Sequence, residues 1–225
     1  MRKAKYICLE GCEGVGKTTQ TQKLVDSLRE QGYKVLQTKE PGTDNIPFTM
    51  KLREMMLSNE YDELLTAPAR EYLSQMIRSI HLEKLIVPAL NEYDYIIQDR
   101  GILSGYAYGE ACGNEFSFLK TMAEANVQHA NLNNREFPYA PENIYDRVIY
   151  LRGNSKKNLA RAKTAKQEYV SGDAMEDKGD TFIQKCSDNM DEYSSYFNAC
   201  KIEVDGKNIE EVHQEILVAL EQKDT

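Results

Sequence analysis

A parallel α/β domain, five strands with helices on both faces, is the fold this sequence predicts. Three observations lead there. Short apolar runs alternate with longer stretches of helical periodicity. A glycine-rich loop joins the first apolar run to the first helix. Two further motifs, Glu40-Pro41-Gly42-Thr43 and Asp99-Arg100, each follow a strand directly, where parallel sheets collect ligands.

The elements follow in order. Tyr6-Ile7-Cys8-Leu9 reads as a buried strand, and Thr18 to Arg29 as a helix with Leu24, Val25 and Leu28 on one face. Lys34 to Thr38 is a second strand, ending at the turn signal Glu40-Pro41-Gly42-Thr43. Residues 47 to 57 are helical, with Leu52, Met55 and Met56 apolar. Ala67 to Leu90 is a long helix whose Leu73, Met76, Ile77 and Ile80 keep helical spacing, and Pro88 is expected to kink or end it. The apolar stripe over 73–80 is read as core rather than interface. Tyr95-Ile96-Ile97 is the third strand, Phe116 to Ala130 a helix, and Val148 to Leu151 the fourth strand. Two helices are expected near 155–169 and 180–199, with a polar link between them. Ile202 to Asp205 is the last strand, and Asn208 with Glu211 caps the final helix.

The chain has 225 residues, enough for one domain over 1–225. No apolar run is long enough to span a membrane, and Met1 to Lys5 lead straight into the first strand without the apolar stretch of a signal peptide. Five cysteines without paired spacing suit a reducing cytoplasm. A net charge of −8 argues against a general nucleic-acid surface, while a few focused cations can still capture a small polyanion.

The first loop, Gly11-Cys12-Glu13-Gly14-Val15-Gly16-Lys17-Thr18, fits G-x-x-x-x-G-K-[ST] between a strand and a helix, the context that makes it a phosphate-binding P-loop. Its glycines let backbone N–H groups point at phosphate oxygens, and the helix N-terminus adds partial positive charge. Lys17 can reach the β- and γ-phosphates, and Thr18 can ligate Mg²⁺. Arg53, Arg78 and Arg100 suit a second phosphate gripped bidentately. Two facing phosphate sites imply phosphoryl transfer between nucleotides.

These residues carry a family resemblance. Glu10 through Gln20, Glu40-Pro41-Gly42-Thr43, Lys51-Leu52-Arg53-Glu54, Arg78, Ile86-Val87-Pro88-Ala89-Leu90, Asp99-Arg100, Ser104 and Ala107-Tyr108 together resemble the thymidylate kinases over nearly the whole chain. The resemblance implies a P-loop kinase fold with a mobile lid over about 153–180, and ATP- and Mg²⁺-dependent conversion of dTMP to dTDP. It implies that Gly11, Glu13, Gly14, Val15, Gly16, Lys17, Thr18 and Thr19 bind ATP, and that Thr18 and Asp99 hold the metal. Glu13, Glu40, Pro41, Arg53, Ser74, Arg78, Arg100, Ser104, Gly105 and Tyr108 would bind the acceptor, with Glu13 facing the 3′-hydroxyl and Tyr108 under the deoxyribose. Lys17, Asp99, Arg100 and Arg161 would be catalytic. The P-loop carries Gly14 and no arginine, so Arg161 is the expected lid cation, helped by Lys163 and Lys166. Helix-mediated homodimers are common in the family.

The chain departs from the family pattern around the acceptor base. Ser74 stands where the family has a phenylalanine that stacks on thymine, giving up a surface worth about 1–3 kcal/mol in base–aromatic stacks. Tyr72 or Leu73 could substitute through a helix rotation, and Gln75 could read a base edge. Gly101 and Gly109 replace larger family residues, and the segment 110–146 is longer than usual and unassigned. The acceptors left open are dTMP, a modified pyrimidine such as a 5-substituted dUMP, and a broader set of deoxynucleotides. A deoxynucleoside kinase would need a general base and have less use for three acceptor-side arginines. A non-catalytic nucleotide-binding protein would have no need of intact Lys17, Thr18, Asp99 and Arg100.

Overall fold

In the computed structural model, residues 4–134, 140–154, 158 and 174–221 are described. Five strands form one sheet: β1 (Lys5–Glu10), β2 (Val35–Lys39), β3 (Tyr95–Asp99), β4 (Arg147–Arg152) and β5 (Cys200–Glu203). Their order is β2-β3-β1-β4-β5, and every pairing is parallel. Alternation along the strands divides the core. Tyr6 and Cys8 of β1 and Ile96 of β3 enter one apolar cluster, while Ile7, Leu9 and Ile97 enter the cluster on the opposite face. Each such fully buried side chain contributes roughly 1.5–3 kcal/mol of transfer free energy.

Helices cover both faces. α1 (Lys17–Glu30) sends Leu24, Val25 and Leu28 into one cluster, and α2 (Pro47–Leu57) packs on α3 (Ala67–His81). The long helix expected over 67–90 runs further, to Glu92. It passes from α3 through a π turn at Leu82–Ile86 into α4 (Val87–Glu92). Pro88 neither ends nor breaks it, because it stands in the first turn of α4, where a missing N–H costs least. The π turn just before it absorbs the local change of register.

α5 (Ile102–Ala111) has no counterpart among the expected elements. Gly105 and Gly109 weaken its sequence signal, and packing against the helix α7 (Asp180–Tyr193) supplies what propensity withholds. The helix expected over Phe116 to Ala130 is present as α6 (Phe116–Asn134), which lies within the long segment 110–146 and packs against α3 and α5. The helix expected to run to 199 stops at Tyr193 and tightens into a 3₁₀ turn over Ser194–Phe197. The final helix α8 (Ile209–Glu221) is capped as expected: Glu211 N–H donates to Asn208 Oδ1 at 3.0 Å, and Asn208 N–H donates to Glu211 Oε2 at 2.7 Å. The helix expected near 155–169 lies outside the described residues, apart from Asn158. No described helix is long and apolar enough to cross a membrane.

The register aligns the carboxyl ends of the three strands that matter. Leu9 and Lys39 both pair with Asp99, so Glu10, Glu40 and Arg100 leave the sheet at one level.

Candidate active site

The loop after β1 is shaped by its glycines. Gly14 adopts φ 72° and Gly16 φ 96°, backbone that side-chain-bearing residues rarely take. A Cβ on Gly14 would stand 1.8 Å from the carbonyl oxygen of Asn158. A side chain at this position, arginine included, would require the Asn158 backbone to move.

Lys17 is buried, and its ammonium donates to the Cys12 carbonyl at 2.7 Å. Burial, then the neighbouring Arg100, lowers its pKa to about 8. Thr18 donates its hydroxyl to Asp99 Oδ2 at 2.7 Å. The other oxygen, Asp99 Oδ1, is buried without a hydrogen-bond partner among the described residues. A hydroxyl and a carboxylate side by side, with one acceptor unsatisfied, form a donor set that fits a hard cation.

Arg100 links this loop to the adjoining cleft. Its backbone takes φ 64°, unusual for a residue with a side chain, and its guanidinium reaches three partners. It donates to the Gly11 carbonyl at 2.9 Å, to Ser104 Oγ at 3.4 Å and to Glu13 Oε1 at 2.7 Å. It also lies 5.2 Å from the centre of the Tyr108 ring. Tyr108 donates its hydroxyl to Glu13 Oε2. Burial opposes the charge on Glu13, yet Arg100, Lys17 and Tyr108 outweigh it and hold its pKa below the ordinary value. Beneath this layer, buried Glu10 accepts from Gly101 N–H at 2.8 Å and from Ser104, tying β1 to the start of α5.

A second cluster stands on the facing wall. Arg78 Nε donates to Glu40 Oε2 at 2.9 Å, and His81 Nδ1 meets Glu40 Oε1 at 2.9 Å. Arg78 Nη1 is buried and unpaired among the described residues, and a Cβ on Gly105 would stand 2.8 Å from Nη2. Burial works against the Glu40 charge, but Arg78 and His81 bring its pKa down to about 2. Glu40→Gln is expected to cost about 3–5 kcal/mol in urea unfolding, because it strands a buried guanidinium. The folded pKa lies below the ordinary 4.5. The stabilisation is therefore present above pH 4.5 and fades as pH falls towards about 2, and the gap between variant and parent closes across that window.

Between the two clusters runs a cleft. Glu13, Glu40, Pro41, Arg53, Ser74, Arg78, Arg100, Ser104, Gly105 and Tyr108, the acceptor set read from the sequence, all line it. Arg53 is held there by donating to the Pro41 carbonyl at 2.8 Å. The acceptor end is therefore assembled from five separated stretches of chain.

A family model described as thymidylate kinase matches residues 9–216. The chain belongs to the thymidylate kinase family. It is 32% identical over 216 residues to the thymidylate kinase of Acholeplasma laidlawii, covering 94% of this chain and 96% of that one. It is 39% identical over 126 residues to that of Mycoplasmopsis agalactiae, covering 55% and 58% of the two chains. The crystal structure of thymidylate kinase from Ehrlichia chaffeensis superposes with a TM-score of 0.69 at 19% identity, over 97% of this chain and 99% of that one, a likeness of fold.

Some expected thymidylate kinase contacts are redistributed. Glu13 was expected at both nucleotides, but its carboxylate is taken up by Arg100 and Tyr108 on the cleft side, so at the ATP loop it offers only backbone. The Val15 side chain is core, and the Thr19 side chain lies in a surface groove with Gln22 and Lys23. Both are left with backbone N–H groups to offer a phosphate. Tyr72 is exposed and edge-on to Phe118, pointing away from the cleft, and Leu73 packs beside Leu52 and Ile77. Neither replaces the missing aromatic. Gln75 is engaged with Glu71 and Asn126. Gly101 has a physical reason: a Cβ there would fall 2.2 Å from the Tyr145 hydroxyl. Arg161, Lys163 and Lys166 lie outside the described residues.

Helix α3 is covered on more than its apolar stripe. Of the stripe read as core, Ile77 is fully buried and Leu73 and Ile80 pack against its cluster, while Met76 is 47% exposed. The face turned inward carries Arg70, Glu71, Gln75, Arg78 and His81. Arg70 and Glu71 line the cleft and were not singled out in the sequence. Their polar spacing with Ser74 and Arg78 is the signal that could have found them. Arg70 anchors the wall through the Met56 carbonyl and Asp62. Burial raises the Glu71 carboxyl above the ordinary value, against the opposing pull of Arg78 and Gln75.

Proposed function

We propose that this chain transfers the γ-phosphoryl group of ATP to the 5′-phosphate of dTMP, giving dTDP, in the cleft between the P-loop and α3. The observation that carries the reading is Arg100, one guanidinium in contact with the phosphate loop and with the cleft at once.

The P-loop amides and Lys17 hold the donor phosphates. The acceptor phosphate takes Arg53, Arg78 and Arg100, and the unpaired Arg78 Nη1 is a donor waiting for such a ligand. Glu13 accepts from the sugar 3′-hydroxyl, and Tyr108 packs against the deoxyribose. A phosphate monoester has a second pKa near 6, so the acceptor oxygen is largely ionised at neutral pH and needs no general base. The work left is bringing two polyanions together and stabilising the transferring group, which positioned cations do. Thr18 and Asp99 are the residues that would hold Mg²⁺, which when bound neutralises phosphate charge. Among the described residues no three metal-binding side chains cluster, which suits an ion that completes its shell with water and phosphate.

Free thiols at all five cysteines support a cytoplasmic location. Exposed Met55 on α2 and exposed Tyr72 and Met76 on α3, two helices packed together, support a homodimer.

The direct test is ATP with each deoxynucleoside monophosphate, 5-substituted dUMPs and thymidine, scored by diphosphate or monophosphate formed. Turnover is expected with dTMP and not with thymidine. Absence of dTMP turnover overturns the reading. The lysine makes a pH prediction: kcat/KM for ATP is expected to fall as pH rises through about 8, because the free enzyme then loses the Lys17 charge. A pH–rate profile at saturating acceptor measures it.

A further inference from the structure

Arg100 holds a backbone conformation, φ 64°, that a residue with a side chain keeps only when its surroundings enforce it. Hydrogen bonds on both sides of the residue do so. Arg100 N–H donates to the Leu9 carbonyl at 2.9 Å, and the Arg100 carbonyl accepts from Gln98 Nε2 at 2.8 Å. Gly101 N–H donates to Glu10 Oε1 at 2.8 Å. One further bond comes from a distant stretch of chain: Ile102 N–H donates to the Tyr145 hydroxyl at 3.2 Å.

That bond closes the start of α5. The first amides of a helix have no partner inside it, and Gly101, the N-cap, has no side chain to offer them. Glu10 takes the N–H groups of Gly101 and Ser104, and the Tyr145 hydroxyl takes that of Ile102. The hydroxyl reaches this place because position 101 is a glycine. A Cβ there would fall 2.2 Å from the Tyr145 oxygen and 2.9 Å from Cys8 Sγ. The tyrosine is itself held: it is 8% exposed, and its ring centre lies 4.8 Å from that of Tyr6 on β1. Tyr145 does not line the cleft, so any effect it has on a ligand passes through another residue. The first turn of α5 supplies that route, since Ser104 Oγ accepts from Arg100 Nη1 at 3.4 Å.

We propose that Tyr145 is a positioning residue for phosphoryl transfer, its hydroxyl propping the Arg100–Gly101 corner so that the Arg100 guanidinium is aimed into the cleft. This rests on the reading that the cleft takes dTMP. A guanidinium on a strained corner is useful only while that corner is rigid, because a small misplacement of a phosphate ligand costs rate.

The test is a double-mutant cycle in steady-state kinetics, with thermal melts as a check on folding. Tyr145→Phe keeps the ring and removes only the hydroxyl. It is expected to lower kcat/KM for dTMP by about 3–10-fold, the range for one neutral hydrogen bond, and to leave KM for ATP within about twofold of the parent. In the Arg100→Ala background the same substitution is expected to change kcat/KM by less than about twofold, because the group it positions is gone. A Tyr145→Phe enzyme within about twofold of the parent, or a loss that persists in full without Arg100, overturns the assignment while dTMP kinase activity stands. Absence of dTMP turnover in the parent overturns both readings.

Discussion

Arg100→Ala is expected to lower kcat/KM for dTMP by about 10²–10³, the scale for removing one preorganised charge-stabilising donor. The guanidinium joins the phosphate loop to the cleft. It spans the Gly11 carbonyl, Ser104 and Glu13, and it covers the Tyr108 ring. Its removal has two consequences. The acceptor phosphate loses a bidentate partner, which raises KM. Glu13 loses the strongest influence keeping it ionised in a buried place, so it no longer accepts cleanly from a sugar hydroxyl. Arg100→Lys keeps the charge but not the planar fork, and should fall between alanine and the parent. Steady-state kinetics with dTMP varied at saturating ATP separates the effects. A kcat/KM within threefold of the parent would remove Arg100 from the site.

Arg161→Ala is expected to have the larger effect on turnover, about 10³–10⁵, the range for an arginine that meets the transferring phosphoryl group. A Cβ at Gly14 would collide with the Asn158 backbone, so an arginine there would displace Asn158. Asn158 is thus seated on the P-loop, and Arg161 follows three residues later in the chain, outside the described residues. An arginine that acts only on the transferring group lowers kcat and leaves acceptor binding near the parent value. Calorimetric titration with dTMP alongside single-turnover rates makes that comparison. Unchanged turnover would falsify the assignment, and Lys163→Ala and Lys166→Ala then identify which neighbour carries the charge.

Much of the donor side was readable because it is local. Gly14, Gly16, Lys17 and Thr18 are adjacent in the chain, and the strand before and helix after them were visible as periodicity. The positive φ values at the glycines are what such a loop needs to aim its amides inward. The reciprocal cap at Asn208 and Glu211 was readable for the same reason, since its partners are three residues apart. The acceptor side was readable only as a set of residue types. Arg53, Arg78 and Arg100 were named as phosphate ligands without the means to tell what else they touch.

Helix α5 was not readable at all. Gly105 and Gly109 depress its propensity, and contacts with α6 and α7, distant in sequence, form it. Those same glycines make room for neighbours from elsewhere in the chain: Gly105 for Arg78 Nη2, and Gly109 first for Leu119 of α6 and then for Glu71 Oε2.

By itself the sequence determined the parallel α/β plan, the phosphate loop and the kinase family, all of which rest on neighbours in the chain or on the period of apolar residues. The tertiary structure alone decided which face of α3 turns inward. The hydrophobic stripe at 73–80 packs through Leu73, Ile77 and Ile80, and the helix also buries Arg70, Glu71, Gln75, Arg78 and His81. The physical reason is pairing. Glu40 from the end of β2 satisfies Arg78 and His81, Asp62 satisfies Arg70, and Asn126 from α6 satisfies Gln75. Buried polar groups are tolerated when they are matched, and the matching partners lie 8 to 51 residues away in the chain, beyond what periodicity can report.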